Sequence, residues 1–122
     1  MDRIMNWLAD TDQVIEQGTS GDWTYRKWKS GISECWRYAR YPNDAMTTQE
    51  GYGYYSSIKN ISFPADLFTI APVVTVGTEL NGALGNFTFS TTAKNAFSGY
   101  FWATRSTTKI VYAHIHAIGH WK

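Results

Sequence analysis

Apolar and polar side chains alternate along several short runs of this sequence, and a period of two is typical of β-strands. The runs begin at Asp22 and recur to the C-terminus, separated by turn signals such as Ser30-Gly31 and Asn81-Gly82. No internal segment has a helical period. The pattern therefore predicts an all-β fold, a sandwich or barrel, and we expect an antiparallel β-sandwich of about six to eight strands.

The last predicted strand, Lys109–Ile118, has two chemically different faces. One face is small and apolar and therefore predicts the core. The other face carries His114 and His116, whose imidazoles are two residues apart. In a threefold assembly such pairs would surround an axial metal ion. The alternative, which we favour, is that they hydrogen-bond to neighbours, so we predict no metal site and no cofactor.

The first twenty residues have a different pattern. Ile4, Leu8, Thr11 and Ile15 follow a helical spacing. Residues 1–20 are therefore predicted to form a helical stalk or linker, docked on the domain or multimerised, and residues 21–122 a head domain. This segment is acidic and has no apolar run, so we expect neither a signal peptide nor membrane insertion.

Aromatic residues make up 16% of the chain and charged residues only 17%, with a net charge of +1. This composition argues against disorder, and against a nucleic-acid partner held by phosphate contacts. A single cysteine, Cys35, leaves no disulfide within the chain. Six Trp, eight Tyr and six Phe are more than a small core needs, so some rings are expected to meet another chain or a ligand.

Catalytic signatures are missing from the sequence. No nucleophile-elbow, zinc-protease or phosphate-loop motif occurs. Cys35 is predicted to be a small buried side chain, and Asp44 and Glu50 to be solvated acids of a loop rather than a hydrolytic pair. We therefore expect a binding or structural module and no enzyme.

Two groups of residues are candidates for ligand contact. The segment Ala39–Gly53 is the longest stretch without clear alternation, and long loops of small β-domains commonly bind ligands. The second group would lie at subunit edges. The candidates are Tyr41, Asn43, Asp44 and Tyr52 in the loop, and Trp102, Arg105 and His114 elsewhere.

Several motifs resemble a known family. Between Val14 and Trp36 the sequence contains EQGTSG, WTYRKW, SGI and ECW, and later it contains ISFPADLFTIAPVVTV, FSGYFWATR and AIGHWK. These motifs resemble the C-terminal head of tail-fibre and baseplate proteins of tailed bacteriophages and prophages. They are more loosely similar to H-type lectin-like sandwiches, which are antiparallel and form trimers.

The resemblance implies a distal tail-fibre head in the virion tail, made in the host cytoplasm without a signal peptide. It implies a homotrimer that follows upstream fibre and binds a host-surface glycan or protein receptor. We expect more fibre before Met1. A structural module that trimerises and caps the fibre is the alternative. The predicted trimer interface comprises Ile4, Leu8, Ile15, Trp23, Tyr25, Trp28 and Tyr112.

Overall fold

Ten β-strands and no helix form the described part of the chain, which is residues 12–122 of the computed structural model. No helix in this range is long and apolar enough to cross a membrane. The all-β prediction is confirmed, with more strands than expected. The strands are β1 Val14–Ser20, β2 Trp23–Trp28, β3 Ile32–Met46, β4 Thr48–Glu50, β5 Gly53–Tyr55, β6 Lys59–Ser62, β7 Val73–Leu80, β8 Gly85–Thr92, β9 Ala96–Ala103 and β10 Thr107–His120.

The strands pair antiparallel in two sheets. The first sheet has the order β1-β2-β3-β10-β7. The second has the order β4-β5-β9-β6, and β8 pairs with β9. Since β8 takes one edge of β9, the short strands β5 and β6 share its other edge, β5 opposite Trp102–Ala103 and β6 opposite Ala96–Gly99. The predicted antiparallel architecture is therefore confirmed.

Strand β10 shows why the chain folds this way. Val111, Ala113, Ile115 and Ala117 are at most 2% exposed. The residues between them, such as His114, point to the opposite face, as the alternation predicted. One face of the first sheet is therefore core and the other is open to a partner or to solvent.

Aromatic rings from the second sheet fill the space between the sheets. Phe97 and Phe101 are at most 1% exposed, and the ring of Phe63 stacks on Phe97 at 5.5 Å. Tyr41 of the first sheet reaches across to Phe101 at 5.1 Å. Burying each such side chain stabilises the fold by about 1.5–3 kcal/mol relative to exposure.

The predicted N-terminal helix is wrong where the structure describes that segment. Val14–Ser20 is strand β1, joined to β2 by a two-residue turn in which Gly21 has φ 58°. Pairing with β2 gives the segment inter-strand hydrogen bonds and neighbouring side chains, which outweigh a weak helical pattern. The sandwich thus begins before residue 21. Ile15 lies on β1 and is 52% exposed, while Ile4 and Leu8 lie outside the described residues.

The loop predicted over Ala39–Gly53 is also wrong. Strand β3 continues to Met46, and β4 and β5 form a hairpin after it. Opposite Lys109–Val111, the run Tyr41–Asp44 has one residue more than its partner strand, which makes a β-bulge. The bulge absorbs Pro42, whose missing N–H would otherwise interrupt a ladder.

Candidate functional site

An open cleft of about 430 Å³ lies on the second sheet. Its volume is at the lower end of the ~300–1,000 Å³ usual for small-molecule sites. The lining is mostly aromatic and neutral. The residues that line the cleft are Glu50, Gly53, Tyr54, Tyr55, Thr88, Tyr100 and Trp102.

Strand register brings the rings of this cleft together. Trp102 of β9 pairs with Tyr55 on one side and with Asn86 on the other. Tyr100, two residues earlier, shares its face with Trp102 and pairs with Thr88. Phe101 between them points to the other side and is fully buried in the core. The same alternation that builds the core therefore presents Tyr100 and Trp102 outward.

The β4–β5 hairpin forms one wall of the cleft. Its two-residue turn consists of Gly51, which has φ 59°, and Tyr52, which is fully exposed. Glu50 and Gly53 pair across the hairpin. A Cβ atom on Gly53 would lie 3.5 Å from Cε3 of Trp102. The missing side chain thus leaves the indole open beside Gly53.

The cleft suits a ligand with both flat apolar faces and hydroxyl groups. Tyr55 and Tyr100 meet edge to face, with ring centroids 5.4 Å apart and planes at 78°. Trp and Tyr combine an apolar face with a polar edge. Sugars have the complementary character, because their C–H faces stack on rings while their hydroxyls hydrogen-bond. Glu50 and Thr88 supply acceptors for such hydroxyls.

The first group of predicted ligand residues does not gather into one site. Tyr41 packs against the core, and its burial raises the pKa of its phenol. Asp44 is 6% exposed and lies 2.6 Å from Nζ of Lys59. Asn43 is exposed in the bulge. Tyr52 alone adjoins the cleft, at the hairpin tip between two lining residues.

The members of the second predicted group lie apart, in the second sheet, in the β9–β10 connection and in the first sheet. Trp102 lines the cleft. The Arg105 guanidinium donates to the carbonyl of Gly82 at 2.8 Å, in the β7–β8 turn region. His114 lies on the first sheet, with Nε2 3.2 Å from Oε1 of Glu79.

Sequence reasoning missed most of the cleft. Tyr100 could have been found, since alternation places it on the face of Trp102. The pairing of Tyr55 with Trp102 has no local signal, because it depends on which strands meet. The sequence predicts Glu50 only as a solvated acid of a loop. The missed lining residues are Glu50, Gly53, Tyr54, Tyr55, Thr88 and Tyr100.

A second surface covers the outer face of the first sheet. Arg26 pairs with Glu34 at 2.7 Å and its guanidinium lies over the rings of Trp36 and Trp28, at 4.8 and 5.7 Å. Nε2 of His116 lies 2.9 Å from Oε2 of Glu34. Burial would raise the pKa of the Glu34 carboxyl, but hydrogen bonds from His116 and Arg26 and the charge of Arg26 lower it.

Apolar groups extend this outer face. Tyr38 is 55% exposed and stacks on Tyr112 at 5.7 Å, and its ring lies 4.7 Å from that of His114. Ile118 and Val73, paired across β10 and β7, are 40% and 71% exposed. Cations, carboxylates and rings thus lie side by side on four neighbouring strands. No other part of residues 12–122 packs over them.

The predicted trimer-interface residues lie in different environments. Trp28 and Tyr112 belong to the outer face of the first sheet. Tyr25 packs against the core. Trp23 is 4% exposed, and its indole N–H donates to the carbonyl of Ser62. Trp23 as an interface residue is therefore wrong, because its own core covers the ring.

Residues 12–122 contain no group of three or more His, Cys, Asp or Glu side chains placed to hold a metal ion. Within one chain His116 and His114 face Glu34 and Glu79 instead. An ion shared between subunits stays a hypothesis.

No protein-family model and no curated protein sequence matches this chain. Solved structures that resemble it include a P. aeruginosa R1 pyocin fibre comprising C-terminal residues 323–701, with TM-score 0.64 and 10% identity over 86% of this chain and 28% of that one. Another is an N-truncated R1-type pyocin tail fibre, with TM-score 0.63 and 10% identity over 98% of this chain and 95% of that one. The fold is similar to that of R1-type pyocin tail-fibre fragments. The tail-fibre resemblance of the sequence is confirmed at the level of the fold.

Proposed function

We propose that this chain is the head domain of a tail fibre and binds a host cell-surface glycan in the cleft around Trp102. The observation that carries the proposal is the placement of Trp102, Tyr55 and Tyr100 around one open cleft, with Gly53 leaving the indole uncovered. Rings in this arrangement stack on sugar faces. The tail-fibre fold supports a location in the virion tail, where such a head would meet a host surface.

A homotrimer is part of the proposal. The uncovered outer face of the first sheet carries Tyr38, Tyr112 and Trp28, which are residue types enriched at interfaces. Three weak sugar sites on one tip would raise the effective affinity by about 10²–10⁴ where they bind together. Light scattering on the purified protein should give a trimer mass, and Tyr38→Glu should shift it towards a monomer. A native monomer would overturn the trimer.

We propose binding rather than catalysis. Glycoside hydrolysis generally uses two carboxyl groups across the scissile bond. Glu50 is the one carboxylate among the residues lining the cleft. Unchanged glycan after prolonged incubation with the trimer would support this part of the proposal, and release of reducing ends would overturn it.

The cleft is tested by binding to a glycan array and to host cells. Trp102→Ala should abolish binding while the trimer stays intact. Trp121→Ala is the matched control and should leave glycan binding unchanged. Trp121 does not line the cleft, and its indole N–H donates to the carbonyl of Trp28 instead. Equal binding by native protein and Trp102→Ala would overturn the cleft site.

A structural role is the second candidate. The exposed rings on the outer face of the first sheet would allow the chain to trimerise and cap a fibre without a ligand. An intact trimer that binds neither the array nor host cells would favour this candidate.

A further inference from the structure

The cleft has one charged lining residue. Glu50 is acidic, and the other lining residues are neutral; no Lys or Arg is among them. The ion pairs within residues 12–122 do not include Glu50. Its carboxylate is thus available to accept hydrogen bonds from a ligand.

Strand pairing places Glu50 in the same cleft wall as Gly53, close to the stacking ring. Glu50 pairs with Gly53, and a Cβ atom on Gly53 would reach the indole of Trp102 at 3.5 Å. A sugar stacked on Trp102 would therefore have hydroxyls near the hairpin wall that carries Glu50. Hydrogen bonds to an ionised acceptor are stronger than those between neutral groups.

Two cations near the second sheet pair with carboxylates outside the cleft. Lys59 lies 2.6 Å from Asp44, and Arg37 lies 3.5 Å from Asp22. Arg37 lines a separate groove with Trp23 and Tyr41. An acidic ligand in the cleft would thus lie near the Glu50 carboxylate, and no lining cation would offset the repulsion between the two negative charges.

We propose that the cleft selects neutral sugar rings, whose hydroxyls donate to Glu50, and rejects sugars that carry a carboxylate or phosphate. This inference rests on the proposed glycan-binding function. Stacking supplies affinity for any pyranose face, whereas Glu50 supplies the discrimination, because a like charge placed opposite it disfavours the complex.

The test compares sugars that differ mainly in one charge. Binding of the intact protein to methyl galactoside and methyl glucoside is measured beside methyl galacturonide and methyl glucuronide, by titration calorimetry or ligand-observed NMR. We expect the neutral sugar of a pair to bind about tenfold or more tightly. Glu50→Gln should narrow that ratio, and Glu50→Lys should remove or reverse it.

Glu16→Lys is the control for net charge, because Glu16 is a half-exposed carboxylate on β1 outside the cleft. It should leave the ratio unchanged. Three results would each overturn the selectivity while leaving glycan binding in place. They are equal affinity for both sugars of each pair, a preference for the uronides, and an unchanged ratio of neutral-sugar to uronide affinity in Glu50→Lys. Binding of no sugar would overturn the proposed function together with this inference.

Discussion

Tyr55 and Trp102 lie opposite each other across the β5–β9 pairing, and both line the same cleft. They are far apart in sequence and belong to strands that no local pattern connects. Their meeting depends on β9, which also carries Tyr100 on the same face and buries Phe101 on the other. Strand β9 therefore carries cleft residues on one face and a core residue on the other. Substitutions on the two faces test binding and stability separately.

Filling the space at Gly53 should block the cleft. A Cβ atom there would contact the Trp102 ring at 3.5 Å, and Gly53 does not have a positive φ, so the backbone accepts a side chain. Gly53→Val should lower glycan affinity about tenfold or more with little change in stability. Binding and thermal unfolding are the measurements. Ala45→Val adds bulk at an exposed position of β3 and should bind normally; undiminished binding by Gly53→Val would contradict the stacking role.

Removing Phe101 should destabilise the fold strongly. Its ring is 0% exposed and contacts both Tyr41 and Phe87. Phe101→Ala should lower the free energy of unfolding by about 3–5 kcal/mol, because it removes buried surface and leaves a cavity. Denaturant unfolding checks this value. Phe89, which is 41% exposed, is the control, and Phe89→Ala should cost clearly less; equal losses would contradict the assigned core.

Acid should weaken the fold through Glu34. Its pKa in the folded protein is lower than the ordinary value of 4.5. The unfolded chain then binds more protons in this range, so the stabilisation is present above about pH 4.5 and is lost as the pH falls through the folded pKa. Glu34→Gln should flatten this pH dependence. Glu34→Ala should cost about 1–3 kcal/mol near neutral pH, since it leaves Arg26 and His116 without their acceptor.

Denaturant unfolding at a series of pH values measures this effect. Glu16→Gln serves as the control, because that carboxylate is half exposed. A native pH profile that matches the profile of Glu34→Gln would contradict the role of the Arg26–Glu34–His116 contacts.

Cys35 should be unreactive in the native protein. It is 0% exposed, and burial together with the Glu34 charge raises the pKa of its thiol to about 12. The reactive thiolate is therefore scarce and inaccessible. A thiol reagent should label it only after denaturant unfolds the chain. Fast labelling without denaturant would contradict this environment.

Local patterns predicted those parts of the fold that depend on period and turn chemistry. The buried face of β10, with Ala113 and Ile115, follows from alternation alone. The Ser30-Gly31 turn follows from its residues, and Gly31 has φ 103°. Local patterns failed at Val14–Ser20, where pairing with β2 outweighed a weak helical propensity. They also failed at Ala39–Gly53, where turn residues lie in a β-bulge of β3 instead of a loop.

The candidate site was predicted only in part. The sequence predicts Trp102 as a ligand residue at a subunit edge and Tyr52 as one in a loop; Trp102 lines the cleft, and Tyr52 lies beside it. Tyr41 and Asp44 are predicted as ligand residues because they lie in the predicted loop, yet Tyr41 packs against Phe101 and Asp44 pairs with Lys59. Residue type shows what a side chain can bind, but not whether the protein already uses it.

The sequence by itself determined the strand period and the apolar face of β10, because both depend on neighbouring residues, and its composition showed a high share of aromatic side chains. The tertiary structure decided which rings remain open. It buried Trp23 in the core, left Tyr38 on the outer face of the first sheet, and placed Tyr55 beside Trp102. The physical reason is that strand register is a long-range property. Hydrogen bonding between distant strands fixes which faces meet, and no single stretch of sequence contains that information.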